Sequence, residues 1–209
     1  MILIGQFDSP FVRRVGIALR LYGMAFEHRP WSSFGEGDKI AAFNPLRRVP
    51  TLVLDDGEVL IESGAILDHL DETAGPARAL LPRSGAARRH ALKTCALATG
   101  LADKAVSLVY ERVLHAQTSD MWLARCRGQV EAALNALQAQ RSASTHNEWF
   151  DATIGHADIA VASAWRFAAE AHPSVVTDAG WPSLAAHSAR CEARPEFAEI
   201  SQVFIPPKQ

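Results

Sequence analysis

The residues around Ser9 could bind and stabilise an anion. Ser9 and Pro10 follow a short apolar run and precede a helical pattern of apolar residues. A hydroxyl at a helix N-terminus can donate a hydrogen bond to an anion, and the helix end adds partial positive charge. A thiolate held there would be stabilised, so the pKa of its thiol would fall. The alternative is that Ser9 is only a helix N-cap, a role in which serine is common.

A second motif, Val49-Pro50-Thr51, places a proline directly before a predicted strand. A trans proline at the first position of a strand is the commoner case, since only about 5–6% of such bonds are cis. A cis bond would turn the backbone N–H and C=O of Val49 outward, ready to pair with an extended peptide. The sequence leaves both possibilities open.

Two further sites carry charge that a ligand could use. Glu62 offers a carboxylate for a ligand ammonium, and Ser63 offers a hydroxyl beside helix N–H groups for a ligand carboxylate. Together they could recognise the α-amino acid end of a ligand. Alternatively, Ser63 caps a helix and Glu62 is a solvated acid. Lys39 could balance another carboxylate or be an ordinary surface lysine.

The elements that must position these residues form a β-α-β-α-β-β-α series. A strand over residues 1–7 precedes a helix that Ser9 caps, Pro10 begins and Gly23 ends. Asp56-Gly57 between two apolar runs predicts a hairpin. The remaining elements are a strand at 26–30, a short helix at 38–43, hairpin strands at 51–54 and 58–61, and a helix from 63 to about 75.

The rest of the chain shows helical periodicity only. Ala- and Leu-rich segments with apolar residues every three or four positions cover roughly 86–116, 119–141, 157–171 and 183–193. The sequence therefore predicts a small α/β domain with a mixed sheet over residues 1–75, a linker over 76–85 and an all-helical domain over 86–209.

Composition excludes several classes of partner. Of 209 residues, 21 are Lys or Arg and 23 are Asp or Glu, so there is no basic field for nucleic acid or an anionic membrane. Apolar stretches fall well short of the roughly 20 residues of a membrane span, and no basic leader precedes the first apolar run. Three scattered cysteines suit neither a disulfide framework nor zinc. We expect a cytoplasmic protein without a metal.

Taken in order, the motifs resemble those of cytosolic glutathione S-transferases of the serine type, as found in bacteria. The segments that carry the resemblance are Ser9-Pro10-Phe11-Val12-Arg13-Arg14-Val15, the run from Asn44-Pro45 to Pro50-Thr51-Leu52, and Glu62-Ser63-Gly64-Ala65-Ile66. It continues to Arg194-Pro195-Glu196-Phe197 and so covers essentially the whole chain. The resemblance implies a thioredoxin-like N-terminal domain with a mixed four-stranded sheet and an all-α C-terminal bundle.

The resemblance also implies roles for individual residues towards glutathione. Pro50 would be cis, and the backbone of Val49 would pair with the cysteinyl part. Glu62 and Ser63 would recognise the γ-glutamyl group, and Lys39 would contact the glycyl carboxylate.

At the catalytic position the family uses Tyr, Ser or Cys. This chain has Ser9 there and no cysteine before Cys95. A mixed-disulfide mechanism is therefore disfavoured, because the protein thiol that it needs is missing. Ser9 would instead donate to the glutathione sulfur and keep it as a thiolate.

In the helical half, Asp103 corresponds to an acid that in related chains often faces the γ-glutamyl site of the partner subunit; an exposed helical acid is the alternative. Phe11, Tyr110 and Trp165 could line the electrophile pocket, although such aromatics are more often core residues. The family's buried helix start has Ser or Thr three residues before an Asp. Here Gly155 precedes Asp158, and we expect that helix to survive the change.

The predicted function is conjugation of glutathione, as co-substrate, to a hydrophobic electrophile by a homodimer, with no nucleic-acid or membrane partner and with detoxification as its role. A glutathione-dependent isomerase or dehalogenase is the alternative within the same fold. A noncatalytic binding or regulatory protein is the alternative from another class, because fold does not fix function.

Overall fold

The computed structural model describes residues 1–146 and 148–206. Four strands form one mixed sheet in the order β2-β1-β3-β4. Strand β1 pairs in parallel with β2 and antiparallel with β3, and β3 pairs antiparallel with β4. The strands are β1 (Ile2–Ile4), β2 (Glu27–Arg29), β3 (Thr51–Val53) and β4 (Val59–Ile61). The predicted hairpin is confirmed as β3 and β4.

Three helices accompany the sheet: α1 (Pro10–Tyr22), α2 (Gly37–Ala41) and α3 (Ser63–Ala74). As predicted, Ser9 is the N-cap of α1, Pro10 opens the helix, and Gly23 ends it at a positive φ of 67°. Helix α3 differs in detail. Its N-cap is Glu62, and Ser63 is its first residue, so the expectation that Ser63 caps this helix is wrong by one position.

In the described part of the remaining chain five helices follow: α4 (Gly85–Leu114), α5 (Asp120–Ala143), α6 (His156–Ala171), α7 (Pro182–Glu192) and α8 (Pro195–Glu199). The first four match the predicted helical segments to within about two residues, and α8 was not predicted. Among the described residues from Gly85 onward the structure contains no strand. The predicted fold class, a thioredoxin-like α/β domain with a mixed four-stranded sheet followed by a helical bundle, is confirmed.

Helix α1 is fastened to the helical half near its beginning by Arg13. This side chain is 2% exposed and makes a two-pronged ion pair with Glu192 at the end of α7, with both N···O distances 2.7 Å. Its Nε also donates to the carbonyl of Ile200 at 2.8 Å. The buried guanidinium therefore joins α1 to the end of α7 and to the segment that follows it.

A second polar cluster fastens the far end of α1. The hydroxyl of Tyr22 donates to Asp71 on α3, and the amide of Leu80 donates to that hydroxyl at 2.9 Å. His156, the first residue of α6, lies 2.9 Å from the same carboxylate. Burial would raise the pKa of Asp71, but the hydrogen bond and charge of His156, with the bond from Tyr22, lower it overall. The tyrosine thus has a structural partner far from Ser9.

The start of α6 keeps its cap in spite of the glycine. Asp158 accepts hydrogen bonds from the amides of Gly155 and Phe150, both at 2.9 Å. A Cβ at Gly155 would lie 2.7 Å from the carbonyl oxygen of Leu80, which already accepts from the amide of His156. Glycine therefore fits here because the chain after α3 passes too close for a side chain. No helix in the described part of the chain is long and apolar enough to cross a membrane.

Candidate functional site

A cleft of about 620 Å³ lies between the α/β half and the helical half. One side consists of the turn before α1, the loop after β2 and the segment before β3. The other consists of α4, one aromatic residue of α6 and the chain after α8. Its lining includes five of the predicted site residues, namely Ser9, Phe11, Val49, Asp103 and Tyr110.

Ser9 lies in the wall of this cleft at the N-terminus of α1. Its hydroxyl accepts a long hydrogen bond of 3.4 Å from the amide of Val12, so the capping role is real. A serine hydroxyl has one donor as well as acceptor lone pairs, so accepting from Val12 leaves its proton available to a ligand atom. Cap and ligand donor are therefore compatible roles for Ser9.

The segment before β3 presents a backbone edge to the same cleft. The Val49–Pro50 bond is cis, as the resemblance implied. In the described part of the chain neither the N–H nor the C=O of Val49 has a hydrogen-bond partner. Gly5, at φ +129°, allows this approach, because a Cβ there would lie 2.8 Å from the Cβ of Val49. Val49 lines the cleft, whereas Pro50 is buried and does not line it.

Glu62 and Ser63 lie just outside the cleft lining, at the start of α3. Glu62 adopts a positive φ of 66°, a strained backbone for a non-glycine residue that is found mainly at functional sites. Its carboxylate pairs with Arg48, a cleft-lining residue, at 3.2 Å. No side chain caps the first turn of α3, which leaves its N–H groups available.

Arg14 lies behind this helix start and was not predicted as a site residue. It is 7% exposed, and its Nε has no hydrogen-bond partner in the part of the chain that the structure describes. Its Nη2 lies 3.6 Å from the position that a Cβ of Gly64 would take. Burial lowers the pKa of Arg14, while the charges of Cys95 and Glu62 oppose that shift. Positive charge therefore lies behind the N-terminus of α3.

Lys39 is exposed on α2 and does not line the cleft. Its Nζ lies 5.8 Å from the ring centroid of Trp31, which does line it. Arg47, which sequence reasoning missed, lines the cleft and pairs with Asp38 at 3.3 Å. A carboxylate at this end of the cleft would therefore meet Arg47 before Lys39.

The other end of the cleft is aromatic. Phe11 and Tyr110 lie in its wall, and Tyr110 contacts Phe34 edge to face with ring centroids 5.2 Å apart; that they hold an electrophile stays a prediction. Burial raises the pKa of the Tyr110 phenol. Trp165 is a correction, because it is 5% exposed and packs in the hydrophobic core of the helical half instead of lining the cleft. Residues all round α6 are buried, so helical spacing does not mark a side of this helix that faces the cleft.

The chain after α8 completes the aromatic end, which no sequence signal indicated. Phe204 and Ile205 line the cleft, and the ring of Phe204 packs edge to face on Phe167 of α6, with centroids 5.2 Å apart. The amide of Phe204 donates to Glu170 at 2.8 Å, and that of Ile205 donates to Asp8 at 3.4 Å. This segment thus contacts both halves of the protein.

Asp103, on α4, lines the same cleft and pairs with Lys104 at 2.9 Å. Its predicted contact across a subunit boundary stays a prediction. Among the described residues no cluster of His, Cys, Asp or Glu could hold a metal ion.

The comparisons with known proteins agree with this geometry. Residues 3–78 match the family model described as glutathione S-transferase, N-terminal domain, and residues 120–190 match glutathione S-transferase, C-terminal domain. The uncharacterized GST-like protein YibF of Escherichia coli (strain K12) is 34% identical over 139 residues, 66% of this chain and 68% of that protein. The chain therefore belongs to the glutathione S-transferase family.

Two other relatives bear on function. A crystal structure of a glutathione S-transferase from Methylobacterium radiotolerans JCM 2831, in complex with glutathione sulfonate, has a TM-score of 0.87 and 30% identity, covering 98% of this chain and 97% of that one. The maleylacetoacetate isomerase of Pseudomonas aeruginosa is 38% identical over 77 residues, 34% of this chain and 36% of the isomerase.

Proposed function

We propose that this protein transfers glutathione to a hydrophobic, aromatic electrophile, with Ser9 stabilising the glutathione thiolate. One observation carries the proposal: a free hydroxyl donor at the N-terminus of α1 and an unpaired strand-like backbone at Val49 border one cleft whose other end is aromatic. An extended peptide with a central thiol suits the first two features, and an apolar acceptor suits the third.

Glutathione would lie along the α/β side of the cleft. The N–H and C=O of Val49 would pair with its cysteinyl backbone, as an added strand. Its γ-glutamyl end would reach the start of α3, where Glu62 offers a carboxylate to the ammonium and Ser63 with the free helix N–H groups binds the carboxylate. At the glycyl end we propose Lys39 as the family resemblance implies, with Arg47 in front of it. The bound glutathione sulfonate of the Methylobacterium relative supports a ligand of this class.

The reaction follows from the position of the sulfur beside Ser9. The hydroxyl donates to the sulfur and lowers the pKa of the thiol, helped by the partial positive charge of the α1 N-terminus. The thiol proton leaves to solvent. The thiolate attacks an electrophilic carbon held among Phe11, Tyr110 and Phe204, and a new C–S bond forms while the leaving group departs with its electron pair.

Replacement of Ser9 by alanine tests this role. A hydrogen bond to a charged group contributes about 1.5–3 kcal/mol, so the pKa of bound glutathione should rise by roughly 1–2 units. The measurement is the ultraviolet absorbance of the bound thiolate against pH, together with kcat for a neutral aryl halide. Ser107→Ala is the matched control, because Ser107 lines the cleft but lies on α4. An unchanged sulfur pKa and unchanged turnover in Ser9→Ala would overturn the assignment.

The same assay separates the alternatives. An isomerase, the activity named for the Pseudomonas relative, would convert a cis-enone acid without consuming glutathione. A dehalogenase would release halide and return glutathione. A binding protein would be retained on immobilised glutathione but convert none of these compounds.

We also propose that the working unit is a homodimer, in which Asp103 faces the γ-glutamyl site of the partner subunit. Sedimentation equilibrium with and without glutathione measures the assembly state.

A further inference from the structure

The charged residues that line the cleft are balanced with one exception. Arg47 pairs with Asp38, Arg48 with Glu62, and Asp103 with Lys104. Asp8 is the fourth charged residue of the lining, and it makes no salt bridge in the part of the chain that the structure describes. Its carboxylate therefore contributes negative charge to the cleft without an ion-pair partner among the described residues.

Asp8 lies at the aromatic end. It directly precedes Ser9, and its Oδ2 accepts from the amide of Ile205 at 3.4 Å. Burial raises the pKa of Asp8, although hydrogen bonds from the backbone of Ile205 and Ser9 oppose that shift, and the charge of Glu170 adds a smaller rise. At the Tyr110 phenol on the opposite wall, burial is the main cause of the raised pKa; a hydrogen bond with Ser33 and the charge of Arg48 lower it, and the charge of Asp8 adds a smaller rise. Arg48 in turn pairs with Glu62 at 3.2 Å.

We propose that Asp8 is a specificity-determining residue that selects neutral or cationic aromatic electrophiles and rejects anionic ones. The inference rests on the proposed function and names its substrate class. An electrophile among Phe11, Tyr110 and Phe204 lies in the field of Asp8, and a carboxylate on its ring would be a like charge in a partly desolvated site. Two unit charges about 8 Å apart at an effective dielectric of about 20 correspond to roughly a thirtyfold loss of kcat/KM.

A matched pair of substrates isolates this charge. In 4-chloro-3-nitrobenzamide and 4-chloro-3-nitrobenzoate the glutathione sulfur displaces chloride from the same ring position, and only the remote group is neutral or anionic. We expect the wild-type protein to favour the amide by at least about tenfold in kcat/KM, after each rate is divided by the uncatalysed rate with glutathione.

Asp8→Asn removes the charge and keeps an oxygen that can accept from the amide of Ile205. Without the repulsion from Asp8, kcat/KM for the amide and kcat/KM for the acid should then differ by less than about threefold. Any effect of Asp8 on the thiolate is common to both substrates and cancels in the ratio. Asp8→Glu retains the charge and should retain the preference. Asp178→Asn removes an exposed acid outside the cleft and controls for net charge.

An amide-to-acid ratio in Asp8→Asn equal to the wild-type ratio would overturn the inference, as would a wild-type ratio near unity. Urea unfolding shows whether each variant has kept its fold. If Asp8→Asn has not, the comparison of the amide-to-acid ratio of Asp8→Glu with that of the wild type decides. Conversion of neither substrate by a wild-type protein would overturn the proposed function itself, and with it this inference.

Discussion

Asp158 and His187 form a buried pair whose opposite pH dependences should cancel in the native protein. Asp158 is 1% exposed, His187 is fully buried, and the carboxylate Oδ1 lies 3.7 Å from the His187 Nε2. Burial raises the pKa of Asp158 from 3.8 to about 6, although the amides of Phe150 and Gly155 oppose it. Burial lowers the pKa of His187 from 6.5 to about 4.

The two shifts act with opposite sign over the same pH range. Because the folded Asp158 holds its proton longer than the unfolded one, its contribution to the free energy of unfolding falls by about 3 kcal/mol as pH rises from about 4 to 6. Because the unfolded His187 binds its proton first, its contribution rises by about 3 kcal/mol between about pH 4 and 6.5. The sum should be nearly flat.

In Asp158→Asn the pH dependence that His187 gives to the stability is no longer offset by that of Asp158. The gap in free energy of unfolding between wild type and Asp158→Asn should shrink by about 3 kcal/mol from pH 4 to pH 6.5. His187→Gln should give the opposite slope, with the gap narrowing by about 3 kcal/mol towards pH 4 and widening towards pH 6.5. Urea unfolding followed by tryptophan fluorescence at several pH values measures both gaps, and titrations elsewhere in the chain cancel in the difference. Two variants whose stability curves run parallel to wild type would refute the reasoning.

Two other substitutions have defined outcomes. Phe204→Ala removes the edge-to-face contact at the aromatic end, so KM for a neutral aromatic electrophile should rise about fivefold while KM for glutathione stays constant; steady-state kinetics with each substrate varied would contradict this if the two values rose together. Arg13→Met breaks the pair with Glu192, which keeps its contact with Arg166 at 3.1 Å, and leaves the buried carbonyls of Ile200 and Phe197 without this donor, so urea unfolding should show a loss of about 3 kcal/mol. Its control is Arg20→Met, whose exposed pair with Glu199 contributes less than about 1 kcal/mol.

The fold of the first half could be predicted from the sequence because the residues that mark its helix ends and its turn act locally. Ser9, Pro10 and Gly23 mark the ends of α1 by capping chemistry, and Asp56-Gly57 marks the turn of the hairpin. Helix α8 was missed because five residues give no full period of apolar positions. The position of Ser63 was wrong by one because Glu62 takes a backbone conformation that side-chain capping rules do not describe.

The candidate site was readable only in part. Ser9 and Val49 lie next to strong local signals, and the structure brings both into the cleft. Trp165 was assigned to the cleft because helical spacing does not say which way a face points. Ile205 and Asp8 could not be connected, because 197 residues separate them and only tertiary packing brings them together.

The two fastenings of α1 bear on how substrates are received. Near its start, α1 is held by the ion pair of Arg13 with Glu192 of α7. At its end, the hydroxyl of Tyr22 accepts from the amide of Leu80, in the segment between α3 and α4. The hydroxyl of Ser9 is thereby fixed relative to the helices that carry the aromatic wall. We expect the width of the cleft to stay the same when glutathione and the electrophile bind. The geometry in which the sulfur attacks the carbon is then already formed in the free protein, and turnover requires no hinge motion between the two halves.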